Sequence, residues 1–139
     1  MTREQAKQQI EAFFRRLGIT ASFFEDKNFA KAAIGESVIG FEFDEASGGL
    51  SARALIYRFR QKPKPVMLDA IFAEEKTAAT GGGSLRFDNE EMSLFLERAF
   101  TEKISDEEFY DAVNRLAQAS LVWSGQLLQK IAEKIHGAN

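Results

Sequence analysis

The sequence predicts an α+β fold, an antiparallel sheet with helices packed on it, in the order α-βββ-α-ββ-α. Three observations predict it. Apolar residues recur at helical spacing near both ends of the 139-residue chain. Between those ends they alternate with polar residues, the period of a half-buried strand. Turn sequences rich in Gly, Asn and Asp join successive strand segments, and such short connections make neighbouring strands antiparallel.

The first helix has a start, a face and a stop. Thr2 and Gln5 have the spacing of a capping box, in which each side chain satisfies a backbone donor of the other residue. Ala6, Ile10, Phe13, Phe14 and Leu17 then fall on one helical face. Gly18 follows, where a residue able to take positive φ ends a helix, and Ile19 can fold back on the last turn.

Residues 29–34 and 37–43 read as strands, with Ile39, Phe41 and Phe43 on one side of the second and Val38, Gly40 and Glu42 on the other. The turn sequence Asp44, Glu45, Ala46, Ser47, Gly48, Gly49 leads into a longer strand over residues 50–59. Leu55, Tyr57 and Phe59 take one side of it, Ala54 and Ile56 the other. Pro63 ends the strand region, because proline donates no ladder hydrogen bond, and Pro65 opens the second helix. Leu68, Ile71 and Phe72 give that helix an apolar edge. Gly81, Gly82 and Gly83 read as a flexible connector. Residues 84–87 and 92–100 form a second hairpin, with Leu94 and Leu96 opposite Phe95.

The last helix is the longest. Ser105 and Glu108 have capping-box spacing, and the acidic first turn suits the helix macrodipole. Phe109, Ala112, Val113, Leu116, Trp123, Leu127, Ile131 and Ile135 form one long stripe. Gly125 lies inside it, at a propensity cost of about 1 kcal/mol relative to Ala, and marks a bend or a split. No repeat or linker divides the chain, which reads as a single domain over residues 1–139.

Composition narrows the function. The chain is 45% hydrophobic with 13 Phe, enough for a core and too apolar for a disordered segment. No apolar run approaches the ~20 residues of a membrane span, so no membrane insertion is predicted. The polar start shows no secretory h-region, and there are no cysteines, which together point to a cytoplasmic protein. The net charge is −3, with an excess of basic residues before position 65 and of acidic residues after it. That balance argues against a nucleic-acid partner.

The search for chemistry returns little. The single histidine, His136, sits at the frayed end of the chain. Without cysteine there is no Cys-His nucleophile; a Ser-His-Asp triad would require His136, and no Gly-x-Ser-x-Gly elbow is present. The carboxylate clusters Asp44/Glu45, Asp88/Glu90/Glu91 and Asp106/Glu107/Glu108 lie in turns and a helix start, where they have structural reasons to be. None fits a calcium loop, so no metal site and no cofactor is expected. The glycine tract lacks the Lys-Ser/Thr ending and the following helix of a phosphate loop. Arg58, Arg60, Lys62 and Lys64 form a basic run that either protects a strand edge or touches an acidic partner or nucleic acid; no aromatic lies between Arg60 and Pro65 to stack on bases, and the edge role is favoured. Phe13, Phe14, Phe23 and Phe24 are more aromatics than one helix face and a loop easily hide, so they divide between core and interaction patch.

The element order, the size and several local phrases resemble the type III secretion chaperones of the Tir-chaperone class. The phrases are Leu17, Gly18, Ile19 at the end of the first helix, the strand with Ile39, Phe41 and Phe43, Gly82 through Phe87 leading into Met92, Ser93 and Leu94, and the closing Phe109, Leu116 and Trp123. The resemblance spans nearly the whole chain. It implies a non-catalytic homodimer that holds an extended segment of a client or effector protein. It implies client-binding positions at Phe13, Phe14, Leu17, Ile39, Phe41 and Leu55, and a dimer interface at Leu68, Ile71, Phe72, Leu94 and Leu96. The chain departs from the pattern by about ten residues of extra C-terminal helix, whose stripe must bury against something, a partner subunit among the candidates. A second reading is a regulatory or scaffold protein of the same fold, with no secretion role, contacting its partner through that helix.

Overall fold

The chain folds in the predicted order, with its last helix divided. The structure, a computed structural model, describes residues 1–19 and 28–137. Phe23 and Phe24 lie outside the described residues. The elements are α1 (Arg3–Arg16), β1 (Phe29–Ile34), β2 (Ser37–Asp44), β3 (Gly49–Arg58), α2 (Pro65–Glu74), β4 (Ser84–Asp88), β5 (Ser93–Phe100), α3 (Asp106–Val122), a π-helical turn (Trp123–Leu127) and α4 (Leu128–Gly137).

Local signals act as the sequence predicts at α1. The Thr2 hydroxyl accepts from the Gln5 amide at 3.1 Å and the Gln5 side chain accepts from the Thr2 amide at 3.0 Å. At the other end Gly18 has φ 75°. Its amide donates to the Arg15 carbonyl and the Ile19 amide to the Phe14 carbonyl, the paired bonds of a Schellman stop. At α3 only half of the predicted box forms: the Ser105 hydroxyl accepts from the Glu108 amide at 3.1 Å, with no return bond from the Glu108 side chain.

The five strands pair antiparallel in the order β1-β2-β3-β5-β4. The longest strand, β3, lies in the middle, between β2 and β5. Arg58 at its end pairs with Ser93 of β5, so the basic run follows a central strand and guards no edge strand. This corrects the edge-protection reading of that run. A bulge between Leu55 and Tyr57 shifts the register of β3 against β5.

Helices α1 and α3 cover one face of this sheet. Phe13 stands at the centre of the core, its ring 5.4 Å from Phe41, 5.7 Å from Phe109 and 5.9 Å from Phe14, all edge-on. Such pairs add about 0.5–1.5 kcal/mol each to what burial supplies. Buried polar side chains tie the layers together. Ser37 and Ser120 meet at 3.0 Å between β2 and α3. Gln9 of α1 accepts from the Ile104 amide at 3.0 Å, just before α3.

The glycine tract is packed. Gly81 and Gly82 have φ of 65° and 86°. A side chain at Gly81 would strike the Arg115 carbonyl, and one at Gly83 would come within 2.6 Å of Leu116 and 2.8 Å of the Glu97 carbonyl. Gly81 and Gly83 are glycines because the chain passes between α3 and β5 with no room for Cβ, and Gly82 because of its positive φ, not because a flexible connector is needed.

The long final stripe is buried within the chain itself. Trp123 is fully buried, and its indole N–H donates to the Ala79 carbonyl at 3.0 Å. Beyond the π-helical turn, Leu128 and Ile131 are buried and α4 packs on α2. The extra stripe thus finds its cover in cis, and no partner subunit is needed for it.

Candidate functional site

The face of the sheet opposite α1 and α3 carries no helix among the described residues. Period 2 dictates what it presents. Where Ala30, Ile39, Phe41, Ala52, Ala54, Leu94 and Leu96 point into the core, their neighbours Phe29, Lys31, Val38, Gly40, Glu42, Arg53, Leu55, Phe95 and Glu97 point outward.

These residues shape a shallow trough of about 170 Å³. Its apolar part is Phe29, Val38, Leu55 and Phe95. Register makes them neighbours: Leu55 faces Phe95 across β3 and β5, and Phe29 lies diagonal to Gly40 across β1 and β2. Gly40 opens the space, and the Phe29 ring leans over it, 3.8 Å from where a Cβ would stand. Phe29 is 47% exposed, a large apolar side chain held in water on a sheet surface.

Charge surrounds this apolar floor. The Arg53 guanidinium, opposite Glu97 in register, bonds the Glu97 carboxylate and reaches Glu42 at 3.6 Å. Arg86 of β4 joins Glu97 at 3.3 Å. The network is only partly exposed at Arg53 and Glu97, at 25% and 19%, so it holds its geometry better than a surface pair. Among the described residues, Lys31 and Arg58 at the rim have no ion-pair partner. The trough therefore offers apolar contact to a side chain, and Lys31, Arg58 and the Glu91 carboxylate at its rim offer polar contacts of both signs. Among the described residues, no group of three or more His, Asp or Glu side chains is arranged to hold a metal ion. Among them too, no helix is long and apolar enough to cross a membrane.

The residues named for client binding divide sharply. Phe13 and Phe14 are 2% exposed, and Ile39 and Phe41 are fully buried. They hold the core together and present no surface, which corrects that part of the expectation: the apolar stripe of α1 faces inward, onto the sheet. Leu17 is partly exposed at the end of α1, and Leu55 lies in the trough. The residues named for a dimer interface divide the same way. Ile71, Leu94 and Leu96 are fully buried, whereas Leu68 is partly exposed and Phe72 is 36% exposed. Sequence reasoning missed Phe29, Val38 and Phe95. The available signal was apolar residues at the alternate strand positions, which an open sheet face should fill with polar ones.

Solved structures share this fold. A chain of the ExsC–ExsE complex matches with a TM-score of 0.73 at 12% identity, over 91% of this chain and 97% of that one. A chain of the HopA1–SchA chaperone–effector complex matches with a TM-score of 0.66 at 17% identity, over 88% and 94%. A chain of the complex of the Yersinia pestis type III secretion chaperone SycH with a stable fragment of YscM2 matches with a TM-score of 0.60 at 12% identity, over 86% and 99%. No protein-family model and no curated protein sequence matches the chain. The chain has the fold of the type III secretion chaperones: five antiparallel strands in the same α+β order, with helices packed on the sheet.

Proposed function

We propose that this protein acts by binding, as a chaperone-like module that holds a segment of a client protein on the open face of its sheet. The observation that carries the reading is the apolar trough of Phe29, Val38, Leu55 and Phe95, uncovered among the described residues and ringed by charge. An extended segment can lay alternate side chains into such a trough while its backbone stays near polar groups. The likeness to chains solved in chaperone–effector complexes supports the same reading. The reading further holds that the protein is cytoplasmic and non-catalytic and works as a homodimer, with Leu68 and Phe72 on the dimer surface.

The test places a photo-crosslinking residue at Val38 or Leu55 in the cell of origin, with the exposed Gln118 of α3 as control. Adducts to one and the same protein from both trough positions, absent from Gln118, are expected. The purified partner should then bind the unmodified chain and lose affinity about tenfold or more on Leu55→Glu, as for an interface anchor. No adduct from the trough, or equal adducts from all three positions, would overturn the proposal.

A further inference from the structure

We propose that the groove between α2 and α4 is a second docking site, built for an acidic amphipathic helix of a partner protein and separate from the trough on the sheet. The groove encloses about 600 Å³. One wall is the stripe Val66, Ala70 and Ala73 of α2; the other is the partly exposed Ile135 of α4, with the buried Ile131 at its base. Both stripes have helical spacing, i, i+4, i+7 on α2 and i, i+4 on α4, so the groove runs between two helices. Ala70 and Ala73 are small, which lets a third helix approach closely. Val66 is 57% exposed, the most exposed of the large apolar side chains described.

Charge names the occupant. Lys64, Lys134 and His136 line the groove, with Glu74 the one acidic side chain among its lining residues. No ion pair among the described residues engages Lys64, Lys134 or His136. Two lysines against one glutamate is a cationic balance, on a chain whose net charge is −3. Lys134 and His136 also suit the end of a helix, where cations offset the macrodipole. That role does not explain Lys64, at the start of α2, nor the apolar walls between the charges. A helix with leucines along one face and glutamates beside them satisfies both the apolar floor and the basic rim.

The geometry of α2 keeps this site apart from the proposed dimer surface. At about 100° per residue, Val66, Ala70 and Ala73 share one side of the helix. Leu68 and Phe72 fall on the far side, and Ile71, between Ala70 and Leu68 around the helix, is buried in the core. Both surfaces can be occupied together.

The probe is a synthetic amphipathic helix of about five turns with leucines at i, i+3, i+4 and i+7 and glutamates flanking them, beside a twin carrying lysines instead. The full chain is titrated with each while its amide resonances are followed. Shifts confined to α2 and α4, tighter binding of the acidic probe, and loss of binding between about 0.01 M and about 1 M salt are expected. Ala70→Glu in the groove, and the exposed charge reversal Lys134→Glu, which leaves packing intact, should each weaken the acidic probe about tenfold or more. Leu55→Glu should not affect it. Equal binding of the two probes, shifts on the sheet face, or no shift at α2 and α4 would overturn the proposal. So would a change in the chain's own solution mass on Lys134→Glu, since the groove would then be a contact between two copies.

Discussion

Single residues in this protein separate into those that hold the core and those that face outward, and spacing along the chain does not always tell which. Phe13 is the clearest core case. Its ring contacts Phe14, Phe41, Phe109 and Tyr110, from α1, β2 and α3. Phe13→Ala should cost about 3–5 kcal/mol, from lost burial and a cavity that the surrounding rings cannot close. Chemical denaturation checks it, and a loss below about 1 kcal/mol would mean the ring is not the centre of the core. Gly81 makes the opposite kind of demand. At φ 65°, with the Arg115 carbonyl in the place of a Cβ, it has both a backbone and a space requirement for glycine. Gly81→Ala should destabilise by about 1–3 kcal/mol, read as a lowered thermal midpoint. A genuinely flexible connector would tolerate the change unaltered, so the same experiment separates the two readings of the glycine tract.

At the scale of elements, the last helix shows how a local irregularity serves packing. The stripe from Phe109 to Ile135 is continuous in sequence, but α3 covers the sheet while α4 covers α2. The π-helical turn at Trp123–Leu127 divides the two tasks, and Trp123 is anchored there by its bond to the Ala79 carbonyl. Gly125 sits in this turn without positive φ, and no atom lies within 4 Å of where a Cβ would stand. Its glycine character is therefore not demanded by space. Gly125→Ala should stabilise the chain by up to about 1 kcal/mol through helix propensity. A loss of stability on urea denaturation would show that the turn needs glycine's freedom. The packing of α4 on α2 predicts a further effect: removing residues 128–139 uncovers α2, and should lower the thermal midpoint while leaving the sheet folded. Far-ultraviolet circular dichroism with a thermal scan checks this.

For the whole molecule, the question is which surfaces face a partner. Among the described residues the sheet has one covered and one open face, and α2 has one side toward α4 and another toward solvent. A homodimer through Leu68 and Phe72 predicts a mass in light scattering of twice the 15.6 kDa chain. Phe72→Asp should convert it to a monomer, with circular dichroism checking that the fold is kept, since Phe72 reaches the surface at 36% exposure. A monomer at every concentration of the unmodified chain would remove the dimer from the proposed function and leave the open face as its sole support.

How much of this was legible in the sequence follows from the range of the forces involved. Element order, helix caps and the in-or-out alternation of strands are local: Thr2 with Gln5, Gly18 after Leu17, and Ile39, Phe41, Phe43 against Val38, Gly40, Glu42 could be read directly. The strand order was not, because pairing β3 with β5 joins residues as distant in the chain as Leu50 and Phe100. For that reason the edge role given to Arg58 failed. Nor could the sequence divide apolar residues into core and surface. Phe13 and Leu55 both read as client-binding positions, yet only the packing of α1 and α3 on one face of the sheet buries the first and leaves the second open. The same holds for the final stripe, which required a cover that the sequence could not name and that α2 supplies. By itself the sequence determined the elements and the alternation of their faces; the tertiary structure decided which faces found each other, because burial depends on neighbours distant in the chain.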